Sequence, residues 1–107
     1  MNATAAKEPV LVHFRSALGE VYGDRLERAV LFGSRARGNS REDSDYDIAV
    51  FLRDMPDRAI ELNRLADLST DCLYETGKCI HAMPYRAGSW RERTPIMHEI
   101  RLDGVDL

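Results

Sequence analysis

Residues 1–8 are small and polar and are expected to be flexible; an apolar periodicity follows them. Val10, Leu11, Phe14, Leu18 and Val21 recur at the spacing of one helix face, and Gly23 ends that helix. A short apolar run from Arg28 to Phe32 predicts a strand leading into Gly33-Ser34. Between Arg35 and Ser44 the only apolar residue is Ala36, so this stretch reads as a loop or a frayed helical turn. A second strand is expected over 45–52. Its alternation puts Tyr46, Ile48, Val50 and Leu52 on one face and Asp45, Asp47, Ala49 and Phe51 on the other.

Asp54 and Pro56 then open a predicted helix carrying Ile60, Leu62, Leu65, Leu68 and Leu73, with Gly77 as its stop. A third strand is expected over 78–83, followed by a loop over 84–93 that holds Trp90. Thr94-Pro95 has the form of a cap and first turn, opening a last helix to Leu102 that ends at Gly104. The expected fold class is α+β with an α/β-like order, a small three-stranded mixed sheet flanked by helices. The stripe Ile60, Leu65, Leu68 and Leu73 is expected in the core, as are Tyr46 and Ile48, whereas His13 and His98 read as surface residues.

The length of 107 residues fits one domain spanning 1–107. A net charge of -3 argues against nucleic acid as a direct ligand but not against a nucleotide, which needs only a local cluster of donors. No window approaches the roughly 18 apolar residues of a membrane span, and residues 1–9 lack the pattern of a signal peptide. Cys72 and Cys79 read as reduced thiols rather than a disulfide framework, so a cytoplasmic protein is expected.

Candidate chemistry is concentrated between Leu31 and Asp47. On a strand, Asp45 and Asp47 point to one face roughly 6–7 Å apart. Two carboxylates so placed repel unless something cationic lies between them, and Mg²⁺ (or Mn²⁺) prefers such oxygen ligands together with substrate phosphates. Gly33 lets backbone approach a phosphate, amides beyond it can donate, and Ser34 adds a hydroxyl. Arg35, Arg37 and Arg41 lie in the same loop, where guanidinium groups suit phosphates, and Gly38 supplies a position free to take positive φ. Arg41 is the arginine that most resembles a plain exposed loop charge. The candidate nucleotide-binding set is therefore Gly33, Ser34, Arg35, Arg37, Gly38 and Ser44, with Asp45 and Asp47 as metal ligands.

Gly33-Ser34, ten intervening residues and Asp45-Tyr46-Asp47 resemble the Gly-Ser-x10-Asp-x-Asp motif of DNA polymerase β-type nucleotidyltransferases. The fuller Gly-Ser-Arg-Ala-Arg-Gly is similar to the minimal nucleotidyltransferase (MNT) group. The resemblance implies the polymerase β-type fold, metal held by Asp45 and Asp47, and Gly33 and Ser34 on the nucleotide phosphates. It implies attack of an acceptor hydroxyl on the α-phosphate of a nucleoside triphosphate, with pyrophosphate released. It further implies ATP as substrate and an antitoxin role beside a HEPN-type ribonuclease partner, with AMP moved to a protein hydroxyl. The length of the chain points the same way, since an acceptor that brings its own docking surface needs no second domain here.

The family usually adds a third carboxylate on the third strand, which here reads Lys78-Cys79-Ile80-His81-Ala82-Met83. His81 is the expected occupant of that position and the third candidate catalytic residue, as a general base or hydrogen-bond acceptor but a poor Mg²⁺ ligand. Three functions therefore stay open: protein adenylylation, a catalytically degenerate module that neutralises a partner by contact, and transfer to a small molecule. Trp90 has two readings, packing on a nucleotide base or a structural or partner-facing role.

Overall fold

The computed structural model describes residues 7–107, so most of the expected flexible segment 1–8 lies outside the described residues. Within its described part, the Glu8 carboxylate accepts a hydrogen bond from the Tyr46 hydroxyl at 2.6 Å. Helix α1 (Pro9–Tyr22) starts on a proline, whose fixed φ suits the first helical turn. Its buried face is Val10, Leu11, Phe14, Leu18 and Tyr22. Tyr22 thus takes the place expected of Val21, which is 45% exposed. A single 3-10 turn leads into β1 (Leu26–Phe32), two residues longer than its apolar run. The pairing shifts register between Leu26 and Arg28, which brings Leu26 onto the same face as Ala29 and Leu31.

The loop after β1 begins with a one-turn helix, α2 (Ser34–Arg37), closed by Gly38 in the left-handed region at φ 82°. Strand β2 (Tyr46–Leu52) runs antiparallel to β1, with Phe32 opposite Asp47. Helix α3 (Arg58–Thr76) starts four residues later than Asp54, because the Asp57 carboxylate accepts from the Ala59 amide and sets the first turn there. Its inner face is Glu61, Leu65 and Cys72, with Leu68 packed at the edge. Ile60 and Leu73, expected in the core, are 48% and 41% exposed. The apolar pattern alone selected a stripe rotated off the true face, which contains a carboxylate and a thiol.

Strand β3 (Ile80–Arg86) pairs parallel with β2 and extends past the expected boundary at Met83. Pro84 sits inside it at no cost to the ladder, since β3 is an edge strand bonded on one side only. The expected loop therefore shrinks to a 3-10 turn (Ala87–Arg91) and its flanks. Helix α4 (Pro95–Asp103) is capped by the Thr94 hydroxyl accepting from the Met97 amide. A fourth strand, β4 (Val105–Asp106), then pairs antiparallel with β1. The sheet is four-stranded and mixed, order β3-β2-β1-β4, rather than three-stranded. Two residues are too few to show a period of two.

Helices α1 and α3 cover one face of the sheet over Leu31, Tyr46, Ile48 and Val50, and α4 covers the other over Val30, Phe32, Ala49 and Phe51. The strand alternation read from sequence is thus the partition between two cores. Trp90 sits edge-on to Phe51, with the Arg28 guanidinium 4.0 Å from its ring, and so plays a structural part. Cys72 is buried, Cys79 is exposed, and neither is paired. Among the described residues no helix is long and apolar enough to cross a membrane.

Glu61 is the buried charged residue of the first core, at 3% exposure, held by Arg25 at 2.6 Å and Arg64 at 3.3 Å. Burial alone would raise its pKa, but the Arg25 bond and charge, with help from Arg64, outweigh it and hold the carboxyl below the ordinary value of 4.5. A folded pKa below the unfolded one stabilises above about 4.5 and loses that stabilisation as pH falls through the folded value. Glu61→Gln is expected to cost about 1–3 kcal/mol near neutral pH and to flatten the acid limb of the Tm-against-pH curve. Thermal melts from neutral to acidic pH check both, and an unchanged acid limb would count against Glu61 as a source of it.

Candidate active site

At the end of the sheet where β1 leaves and β2 enters, the structure sets Asp47 against the Gly33 turn and beside His81. Gly33 follows β1 with φ 75° and ψ -158°, a conformation that side chains rarely tolerate. The space beside it is filled by Asp47: a Cβ at Gly33 would lie 2.7 Å from Asp47 Oδ2. The glycine therefore serves both the backbone turn and the close approach of a carboxylate. Within the turn, the Ala36 and Arg37 amides donate to the Gly33 carbonyl, and the Gly38 and Asn39 amides to that of Ser34. The Ser34 and Arg35 amides, at the start of α2, are left without an intrahelical acceptor.

Asp47 is half-buried, and its Oδ1 lies 3.3 Å from His81 Nδ1. The parallel register sets this contact, because Asp47 and His81 are direct partners on β2 and β3. His81 itself is exposed. Asp45 sits just before β2, exposed, with no side-chain hydrogen bond or ion pair among the described residues. Among the described residues no group of three or more His, Cys, Asp or Glu converges as a metal site. The two carboxylates suit a hard cation that takes its remaining ligands from phosphate oxygens and water, not a closed protein cage.

The three loop arginines differ sharply. Arg35 donates through Nε and Nη2 to the Ser44 carbonyl (3.2 and 2.9 Å) and through Nη2 to that of Glu42 (2.9 Å). Its guanidinium also lies 4.3 Å from the Tyr46 ring centroid. Arg37 reaches α4, pairing with Asp103 at 3.3 Å and Glu99 at 3.7 Å. Arg41, expected to be the plain loop charge, is the one whose guanidinium makes no hydrogen bond or ion pair among the described residues; its backbone amide donates to Ser44 Oγ. The Ser44 hydroxyl thus already accepts a bond within its own turn. Lys78 and Cys79, which sequence reasoning left out of the site, line an open cavity with Arg41, Glu42, Asp43, Ser44 and Gly77. Only their place after α3 brings them there.

A family model for the polymerase beta nucleotidyltransferases matches residues 21–86. The chain belongs to that family. The match contains β1, the Gly33-Ser34 turn, β2, α3 and β3, so every candidate site residue lies within it. Three chains of Methanocaldococcus jannaschii bearing the name "putative protein adenylyltransferase" are similar in sequence. One is 32% identical over 77 residues, covering 72% of this chain and 71% of the relative. The others are 36% identical over 47 residues, 44% of this chain, and 35% over 69 residues, 64% of this chain. This chain spans about half the length of these last two, 48% and 47%.

Solved structures share the nucleotidyltransferase fold. A toxin-antitoxin crystal structure with AMP-PNP superposes with a TM-score of 0.60 at 19% identity, covering 87% of this chain and 68% of that one. A tri-AMPylated HEPN toxin of Shewanella oneidensis in complex with its MNT antitoxin superposes at 0.53 and 15% identity, covering 91% and 70%. At such identities the likeness is one of fold.

Proposed function

We propose that this nucleotidyltransferase moves AMP from ATP to a hydroxyl of a protein acceptor, as the antitoxin of a HEPN-type partner, within one domain. The observation that carries the reading is the packing of the Asp47 carboxylate directly on the Gly33 turn. It sets an acid suited to a metal against backbone suited to a phosphate. Asp45 and Asp47 would hold Mg²⁺ or Mn²⁺, which when bound neutralises phosphate charge and orients the triphosphate. The names of the sequence relatives and the AMPylated toxin of the Shewanella complex support a protein acceptor.

In this reading the Ser34 and Arg35 amides and the Ser34 hydroxyl donate to phosphate oxygens, as Gly33 leaves them room to do. Arg41, with its guanidinium uncommitted, is better placed than Arg35 or Arg37 to add charge to the triphosphate. Asp47 orients the His81 ring through Nδ1, so that Nε2 faces solvent and can accept the proton of the attacking hydroxyl. Attack at the α-phosphorus forms the acceptor O–P bond, breaks the bond to the bridging oxygen and releases pyrophosphate. Gly38 serves the backbone, closing α2 in the left-handed region.

Intact-mass spectrometry of the partner protein, incubated with this chain, ATP and Mg²⁺, should show added AMP, lost with Asp45→Ala. No addition with either Mg²⁺ or Mn²⁺ would sink the reading. One observation favours a second: β3 sets His81, not a carboxylate, beside Asp47, which suits a module that binds nucleotide and neutralises its partner by contact. Transfer that appears only in His81→Asp would establish that reading.

A further inference from the structure

We infer that Arg35 is a positioning residue: with Tyr46 and Glu8 it forms a clamp that holds the peptide leading into Asp45, and so presets the metal site. The inference rests on the proposed role of Asp45 and Asp47 as metal ligands, and it gives Arg35, Tyr46 and Glu8 duties that motif reading does not.

Arg35 makes its three bonds to backbone carbonyls nine and seven residues ahead. The Ser44 carbonyl it grips belongs to the peptide bond that joins Ser44 to Asp45. Its planar face rests on Tyr46, the residue between the two acids, which is 3% exposed and whose amide donates to the Cys79 carbonyl. The Tyr46 hydroxyl in turn donates to Glu8 at the start of α1. One continuous set of contacts thus runs from α1 through the middle of Asp-Tyr-Asp to the loop carbonyls. Charge-assisted bonds from a fork of fixed shape suit this task, and a lysine ammonium cannot reproduce them. An arginine serving as a phosphate ligand would keep Nε and Nη2 free, whereas here both are committed.

The two roles separate by experiment. Mn²⁺ binding to the nucleotide-free chain, read by electron paramagnetic resonance, reports the metal site without phosphates, and amide hydrogen exchange over residues 39–45 reports the loop. Arg35→Lys is expected to weaken Mn²⁺ binding roughly 10- to 100-fold, the range for groups that orient metal ligands, and to speed exchange in the loop. Tyr46→Phe, which removes only the bond to Glu8 and spares the core, should move both readouts in the same direction by less. Arg35→Lys with unchanged Mn²⁺ affinity and loop exchange but weaker ATP binding would overturn the clamp in favour of a phosphate ligand. If the wild-type chain binds no Mn²⁺, or Asp47→Ala binds it equally, the metal assignment fails. Loop exchange then still decides: faster exchange in Arg35→Lys upholds the clamp, and unchanged exchange overturns it.

Discussion

Asp47→Asn is expected to reduce AMP transfer by on the order of a thousandfold while leaving the melting temperature almost unchanged. The substitution keeps the shape that packs against Gly33 and the oxygen that faces His81, so the local structure has little reason to move. It removes the charge that, in the proposed mechanism, holds the cation on the triphosphate. A bound metal is worth several kcal/mol of transition-state stabilisation, and each 1.36 kcal/mol is tenfold in rate. Folding stability should shift by less than about 1 kcal/mol, as for substitutions outside the core. Rates of AMP incorporation into the partner, with thermal melts of the same samples, check the two halves separately. Undiminished transfer would remove Asp47 from the metal site; lost transfer with a collapsed melting temperature would show a structural role.

The features that were legible in the sequence are those whose cause is local. Gly33-Ser34 and Asp45-Tyr46-Asp47 stand on one stretch of chain, and strand alternation alone assigns Asp47 and Ile48 to opposite faces. His81 was legible at one remove, because parallel pairing across a β-α-β unit sets the start of β3 beside Asp47. What escaped depends on partners far along the chain. Arg37 meets Asp103 across 66 residues, and Tyr46 meets Glu8 across 38. No periodicity encodes either contact. The buried face of α3 was misread for a different reason: Glu61 is acceptable in the core only because Arg25 and Arg64 arrive to neutralise it. Apolarity therefore marks Ile60, which is exposed, in its place.

The arginines show how far residue type alone can carry a site. All three have the chemistry of a phosphate ligand, and the sequence sets apart only Arg41, as the plainest loop charge. The ranking comes from competition: loop carbonyls engage Arg35, the α4 carboxylates engage Arg37, and Arg41 keeps its guanidinium. Arg37 also ties the proposed site to α4, since its partners Glu99 and Asp103 both lie on that helix. These pairs are partly exposed and so worth little in stability, which leaves them easily exchanged for phosphate.

Gly33→Ala is expected to destabilise the fold by about 2–3 kcal/mol and to cut transfer as deeply as loss of Asp47 does. Two causes act at one position. The backbone sits at φ 75° and ψ -158°, where a side chain costs roughly 1–3 kcal/mol in strain. The new methyl would also meet Asp47 Oδ2 at 2.7 Å, closer than any real contact, so the carboxylate must swing away from the turn. A double-mutant cycle separates them. In an Asp47→Ala background the nearest remaining atom of residue 47 is its Cβ at 3.6 Å, an ordinary contact, so only the strain survives. Gly33→Ala should then cost less than in wild type, with a coupling of about 0.5–3 kcal/mol, the range for residues in contact. Strictly additive costs would mean that backbone conformation alone demands glycine here, and that the close approach of Asp47 is incidental to it. Measured coupling would tie the glycine to the carboxylate it admits, making the turn and the acid one unit of the proposed active site.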